Sequence, residues 1–284
     1  MIKVLKTGLY SSIQDLGRPE FQIYGVPVSG VMDAYSAKMA NILLGNNATD
    51  AVLEMTMTGA VLQFKANTLL SISGANLNPK LNDSAIRMHT VISANTDDIL
   101  TFGQTTKGLR SYLAVAGGFQ TKVIMGSRSM CRSVTAQTTL KLNDELKIVE
   151  YNPYETGKNA SVKFNNDHFE SSRIDVFEGP EFDALNHDQK EKLLNSEFSI
   201  SKENNRMAYQ LEQVLENKLE PIITSSVLPG TVQLTPSGKL IILMRDAQTT
   251  GGYPRILQLK ETALNVLSQK YTGDNLKFNL IPYQ

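Results

Sequence analysis

Tryptophan is absent from the 284 residues, and cysteine occurs once, as Cys131. One cysteine cannot build an intrachain disulfide framework, which fits a reducing compartment. Neither sign of charge is in excess, since 28 Lys and Arg face 28 Asp and Glu. With zero formal net charge the chain has no global field to attract nucleic acid or an anionic membrane. No apolar run approaches the ~20 residues needed to cross a bilayer. The opening MIKVLKTGLYSSIQ lacks the apolar stretch and the small-residue cleavage site of a secretory leader. The expectation is a soluble, cytoplasmic protein with neither nucleic-acid nor membrane partners.

Whole classes of chemistry are missing as well. No Gly-x-x-x-x-Gly-Lys-Ser/Thr loop is present, and the glycine-rich spots lack the strand–turn–helix setting of a dinucleotide fingerprint. His89, His168 and His187 stand apart and match no ligand spacing, so no metal site is expected. Cys131 has Arg128 and Arg132 nearby but no histidine in sequence reach, which leaves it an incidental thiol. Ser36-Ala37-Lys38-Met39 hints at a biotin-bearing Met-Lys-Met. It falls inside a predicted helix and lacks the first Met, so no biotin is expected on this chain.

What the chain does have is apolar content and short alternating runs. The apolar fraction is 41%, enough for a real core. Asp33 caps a predicted helix in which Tyr35, Met39, Ile42 and Leu43 carry the spacing and Gly45-Asn46 ends it. From residue 51 the period becomes two, with Leu53, Met55 and Met57 on one face and Glu54, Thr56 and Thr58 on the other. Glu54 is either a buried carboxylate or an outward charge. Further strands are predicted at 61–64, 68–73, 86–92, 99–102, 111–116 and 146–149, many divided by glycine turns. Residues 174–177 restart strand structure, 186–195 and 261–269 read as helices, and 276–280 alternates again. The expected class is mainly β, a β-rich α+β protein with several strands and one main helix in each half. Domains are placed at 1–155 and 170–284, with a polar connecting segment at 156–169.

The stretch 227–258, VLPGTVQLTPSGKLIILMRDAQTTGGYPRILQ, looks most functional. Its Pro236-Ser237-Gly238 turn between apolar runs signals a hairpin. After it, Asp246, Gln248, Thr249 and Thr250 precede Gly251-Gly252 and Tyr253-Pro254. Glycines can bring backbone N–H groups close to a ligand, so a ligand-facing loop is expected. Near the N-terminus, Asp15 and Arg18 flank a glycine turn and either pair with each other or present both charges to a ligand.

Taken in order, a set of fragments resembles one family. They are Gln14-Asp15-Leu16-Gly17-Arg18, Gly25-Val26-Pro27 with Ser29-Gly30 and Met32-Asp33, and Leu53-Glu54 with Thr58-Gly59. Arg110-Ser111-Tyr112 through Gly117-Gly118, Gly126-Ser127-Arg128-Ser129, Pro229 through Gln233 and Asp246 through Pro254 complete the set. Over nearly its whole length the chain resembles the family of the 5-oxoprolinase C subunit. That family is also described as biotin-dependent carboxyltransferase-like or allophanate hydrolase subunit 2, and it includes an antagonist of a sporulation kinase inhibitor.

The resemblance implies two cyclophilin-like β-barrel domains in tandem and partnership with homologues of the B and A subunits of 5-oxoprolinase. It implies a share in ATP-dependent hydrolysis of 5-oxo-L-proline to L-glutamate, with ATP bound through the complex and a small amide as substrate. It makes Asp246, Asp15 and Arg18 candidate catalytic residues lining a shared cleft. Gln248, Thr249, Thr250, Gly251, Gly252 and Tyr253 become candidate substrate contacts. Arg110 and Tyr112 are also candidates, although strand residues are as readily structural. Two other roles occur in the family: the carboxyltransferase half of a urea carboxylase, and regulation by binding a kinase inhibitor. Asn205, Ala208, Gln210 and Gln213 stand where the family often has Asp, Gly, Arg and Gly. Met130 and Glu20 likewise replace a usual Thr and Gly.

Overall fold

The computed structural model describes residues 1–105, 107–150 and 167–283. Most of the connecting segment expected at 156–169 therefore lies outside the described residues; 167–169 belong to a one-turn helix, Asp167–Glu170. The chain divides into two compact units, one of residues 1–18 and 29–165 and the other of 19–28 and 166–284.

The first unit consists of two antiparallel sheets. One, of six strands, runs in the order Glu145–Leu146, Ile2–Lys6, Val61–Phe64, Ile99–Thr101, Lys80–Leu81 and Ser84–Ala85. The other, of five, runs Tyr10–Gln14, Val52–Thr56, Arg110–Val115, Thr68–Gly74 and Ile92–Ala94. Alternation explains the core between them: Ile2, Val4, Leu62 and Phe64 from one sheet meet Ile13, Leu53, Met55, Ile72 and Leu113 from the other. The two-residue period predicted from residue 51 holds only to Thr56. Met57 takes a positive φ of 60° and turns outward.

The opposite face of the five-stranded sheet is covered by the helix Ala34–Leu44. Asp33 caps it through the Ser36 N–H at 3.0 Å, and Gly45 closes it in the left-handed conformation. Its inward face matches the expected one only at Leu43, which is 1% exposed. Ala34, Ala37 and Ala40 pack against Val52, Tyr112 and Ala114, while Ile42 is 57% exposed. Small side chains let helix and sheet approach closely, and an alanine stripe is weaker as a sequence signal than scattered Ile and Met. The strand predicted at 86–92 is also corrected. Only Ile92–Ala94 is strand, and Ile86 and Met88 reach the core from irregular backbone.

The second unit is a closed barrel of seven strands. Its order is Arg173–Glu178, Arg255–Leu259, Thr231–Leu234, Lys239–Leu243, Ala208–Val214, Phe198–Asn204 and Asn275–Leu280. Parallel pairing of the last strand with the first closes the ring. The predicted hairpin is the pair Thr231–Leu234 and Lys239–Leu243. Both helices expected here form, His187–Asn195, opened by an Asn186/Gln189 capping box, and Glu261–Leu267, so the unit has two comparable helices where a single main one was expected. A barrel therefore forms in the second unit, while the strands of the first are divided between two sheets. No helix among the described residues is long and apolar enough to cross a membrane.

Candidate functional site

In the first unit the turn after Tyr10–Gln14 carries Asp15 and Arg18. They do not pair. The Asp15 carboxylate accepts from the Gly17 N–H at 2.8 Å, the Arg128 N–H at 2.6 Å, and the Ser127 and Ser129 hydroxyls, each at 2.6 Å. Its own N–H donates to Ser129 Oγ at 2.9 Å. A carboxylate with its lone pairs so occupied anchors the segment 127–129 to the turn. Arg18 is 2% exposed and donates from Nη2 to the Ser129 carbonyl at 2.6 Å. Its Nε and Nη1 have no hydrogen-bond partner among the described residues. A cleft of about 450 Å³ lies alongside, lined by Asp15, Gly17, Asp50, Gln120, Gly126 and Arg128. Arg128 is steadied there by Gln120 Oε1 at 2.8 Å and by the Thr121 carbonyl.

Cross-strand register explains a second polar group under the helix Ala34–Leu44. Ser12 pairs with Glu54, Glu54 with Tyr112, and Tyr112 with Ser73, so four polar side chains form one fully buried row across four strands. Glu54 is thus the buried carboxylate of the two alternatives. Its Oε2 accepts from the Met32 N–H at 2.7 Å, and its Oε1 lies 3.9 Å from Arg110 Nε. The Tyr112 hydroxyl accepts from the Asp33 N–H at 2.8 Å. Burial above all, then the Glu54 and Asp33 carboxylates, push the Tyr112 phenol well above its ordinary range, so it stays protonated. Arg110 and Tyr112 belong to this sealed layer, in which the charge of Glu54 is met by a guanidinium and a backbone donor.

In the second unit Asp246 follows the strand Lys239–Leu243. Arg206 grips it through two contacts, Nε to Oδ2 at 2.8 Å and Nη2 to Oδ1 at 3.0 Å. The side chains are 8% and 16% exposed. Beyond it the loop pairs as a short ribbon, Thr250–Gly251 against Ser225–Ser226, with the Thr249 carbonyl accepting from the Val227 N–H at 3.0 Å. A Cβ on Gly251 would lie 2.4 Å from Gln233 Nε2, so a side chain there would push that amide aside. Gly252 is under no such constraint. Gln233 Nε2 and Gln248 Oε1 are both buried without partners among the described residues, one a donor and the other an acceptor. Thr250 is exposed and Tyr253 is 39% exposed. One unpartnered donor and one unpartnered acceptor suit a ligand carrying both, as an amide does.

The expected residues therefore fall in three places. Asp15 and Arg18 lie at a turn of the first unit, Arg110 and Tyr112 in its buried polar row, and Asp246 through Tyr253 in the second unit. Gln14, Ser29, Ser127, Ser129, Arg206 and Gln233 were not singled out as site residues from the sequence. Only Ser127-x-Ser129 after a glycine carried a readable hint, two hydroxyls spaced to serve one carboxylate. Asn205 is held in the turn between two barrel strands, where its Oδ1 accepts from the Met207 N–H at 2.7 Å and the Ala208 N–H at 3.2 Å.

Residues 24–280 match the family described as carboxyltransferase domain, subdomain A and B. The chain belongs to this family. It is 32% identical to the 5-oxoprolinase C subunit of Escherichia coli, covering 98% of this chain and 90% of that protein. Against urea amidolyase of Saccharomyces cerevisiae the identity is 26%, over all of this chain but 17% of that protein. Among solved structures, TTHA0988 superposes with a TM-score of 0.85 at 25% identity, matching 98% of this chain and 55% of the other. Kluyveromyces lactis urea carboxylase gives 0.86 at 26% identity, covering 99% of this chain. The chain spans about half of the first solved structure and 27% of the second. In this carboxyltransferase-family chain, Asp15 and Asp246 are both tied down by hydrogen-bond donors.

Proposed function

We propose that this chain is one component of an ATP-dependent 5-oxoprolinase, acting with homologues of the A and B subunits and inactive alone. The supporting observation is the 32% identity to the Escherichia coli 5-oxoprolinase C subunit, over 90% of that protein. A lactam is a poor electrophile. Transfer of the γ-phosphoryl group of ATP to its oxygen, with ADP released and ATP a substrate of the complex, opens the ring carbon to water; loss of phosphate and cleavage of the C–N bond then give glutamate. This chain has no P-loop, and its part in that sequence is to hold a small amide. Gln248 and Gln233 offer an acceptor and a donor, Gly251 lies against the Gln233 amide, and Thr249, Thr250, Gly252 and Tyr253 frame the loop. The Arg206–Asp246 pair holds the base of that loop in place. The same reading takes both units as variants of a tandem cyclophilin-like plan, supported by the seven-stranded barrel and the two-sheet build.

A second reading, the carboxyltransferase half of a urea carboxylase, draws support from the family description and from the likeness to urea carboxylase. Any biotin would then be on another protein. The chain should be purified from its own cells with its partners. The oxoprolinase reading expects glutamate from 5-oxo-L-proline and ATP, with no biotinylated polypeptide in the complex. A biotinylated carrier together with bicarbonate-dependent ATP cleavage on urea would overturn it.

A further inference from the structure

The most demanding feature of the first unit is the Arg18 side chain. A guanidinium has five N–H donors in a planar fork. Arg18 is 2% exposed, yet only its bond to the Ser129 carbonyl is made. Whichever Nη2 hydrogen that bond uses, one two-donor edge of the fork remains open. No carboxylate of the described residues lies within ion-pair distance of it. Asp15, the nearest in sequence, is already occupied by four donors. A buried cation without a counter-charge costs several kcal/mol, and such groups in native folds call for a ligand, an ion or water.

Two more unpartnered polar atoms belong to residues whose segments are tied to the same turn or to residues 129–130. Gln14 donates from Nε2 to the Met130 carbonyl at 3.0 Å, next in sequence to the carbonyl that Arg18 uses, and its Oε1 is buried without a partner. The bond to a carbonyl fixes the orientation of that amide, so the open atom is an acceptor. Ser29 Oγ is also buried without a partner. Its backbone has a positive φ of 58°, uncommon for a residue with a side chain. The following Gly30 is pressed against the Asp15 turn, where an added Cβ would lie 2.8 Å from the Gly17 nitrogen. Together these atoms offer a two-pronged cationic donor, a hydroxyl and one acceptor.

We propose that Arg18, Ser29 and Gln14 form a carboxylate-recognition subsite. Arg18 takes the two oxygens of the acid, and Ser29 and Gln14 supply the remaining polar lining. A planar carboxylate fits the guanidinium edge in bidentate fashion. The identity of the ligand rests on the oxoprolinase reading: 5-oxo-L-proline carries its carboxylate on the carbon next to the ring N–H. Urea has no acid group and would leave the Arg18 edge empty.

The test follows the Arg18 Nε–H signal in the ¹⁵N-labelled full chain, assigned with Arg18→Gln. The probes are 5-oxo-L-proline, acetate, and 2-pyrrolidinone, which keeps the lactam and lacks the acid. The Arg18 signal should move with 5-oxo-L-proline, move more weakly with acetate, and stay put with 2-pyrrolidinone. Arg18→Gln should weaken 5-oxo-L-proline binding on the order of 10- to 100-fold. Should that variant misfold, Ser29→Ala and the wild-type titration decide. An Arg18 signal unmoved by 5-oxo-L-proline, or moved equally by 2-pyrrolidinone, overturns the subsite. Oxoprolinase turnover in the reconstituted complex with an unchanged KM in Arg18→Gln would also overturn it while leaving the functional reading intact. Carboxylate binding at Arg18 without any turnover would do the reverse.

Discussion

Truncating Asp246 to alanine removes the carboxylate that accepts from Arg206 Nε and Nη2. Breaking a largely buried pair leaves an uncompensated charge, and with part of the carboxylate in solvent the expected loss is about 2 kcal/mol. Urea denaturation of Asp246→Ala checks this. A double-mutant cycle of Asp246→Asn with Arg206→Gln should return a coupling of about 1 kcal/mol or more. A coupling near zero would make the pair incidental, and any lost turnover would then belong to Asp246 itself. Glu181 offers a contrast in the same unit. Its bond from Arg255 is the main reason its carboxyl sits below the usual range. A lowered acid contributes stability above its unfolded pKa, about 4.3, and loses it as pH falls through the folded value. Glu181→Gln should therefore be less stable than wild type by about 1 kcal/mol near neutral pH. Urea midpoints of the two proteins should converge as pH falls through the lowered folded value of Glu181, below the usual carboxylate range. A gap unchanged with pH would exclude this linkage.

At the scale of elements, the helix Ala34–Leu44 depends on its cap. Asp33 accepts from the Ser36 N–H at 3.0 Å and the Ser36 hydroxyl at 2.6 Å, and it is fully buried. Asp33→Ala should cost about 1–2 kcal/mol, read as a lower urea midpoint. A change within a few tenths would mean that the sheet alone holds the helix. The cap and the hairpin of Thr231–Leu234 with Lys239–Leu243 were legible because short-range chemistry decides them: a carboxylate before a helix, and Pro-Ser-Gly between apolar runs. The inward face of the helix was not. Of Tyr35, Met39, Ile42 and Leu43, which promised helical spacing, only Leu43 is fully buried, and close packing on the sheet selected the alanines for the rest of the face. Residues 86–92 misled for a related reason. Ile86 and Met88 join the core from backbone held by tertiary packing, and apolar periodicity alone cannot tell that from a strand.

At the scale of the whole molecule, the strand-rich class was readable from alternation and turns, and membership of the carboxyltransferase family from motifs whose order spans the chain. The state of each charge was hidden. Asp15 and Arg18, three positions apart, look like a pair. Only the fold shows Asp15 spent on Ser127, Arg128 and Ser129, with the Arg18 edge left open. Such outcomes depend on contacts more than 100 residues distant in sequence. The proposed role assigns this chain the holding of a small lactam acid and leaves ATP cleavage to the complex. The decisive measurement is inorganic phosphate released from ATP by the three reconstituted proteins supplied with 5-oxo-L-proline, with and without this chain. Release that needs both 5-oxo-L-proline and this chain, matched by glutamate formed, is the expected result. Release that continues at the same rate without this chain, from partners that still bind it, would contradict the role as an oxoprolinase subunit.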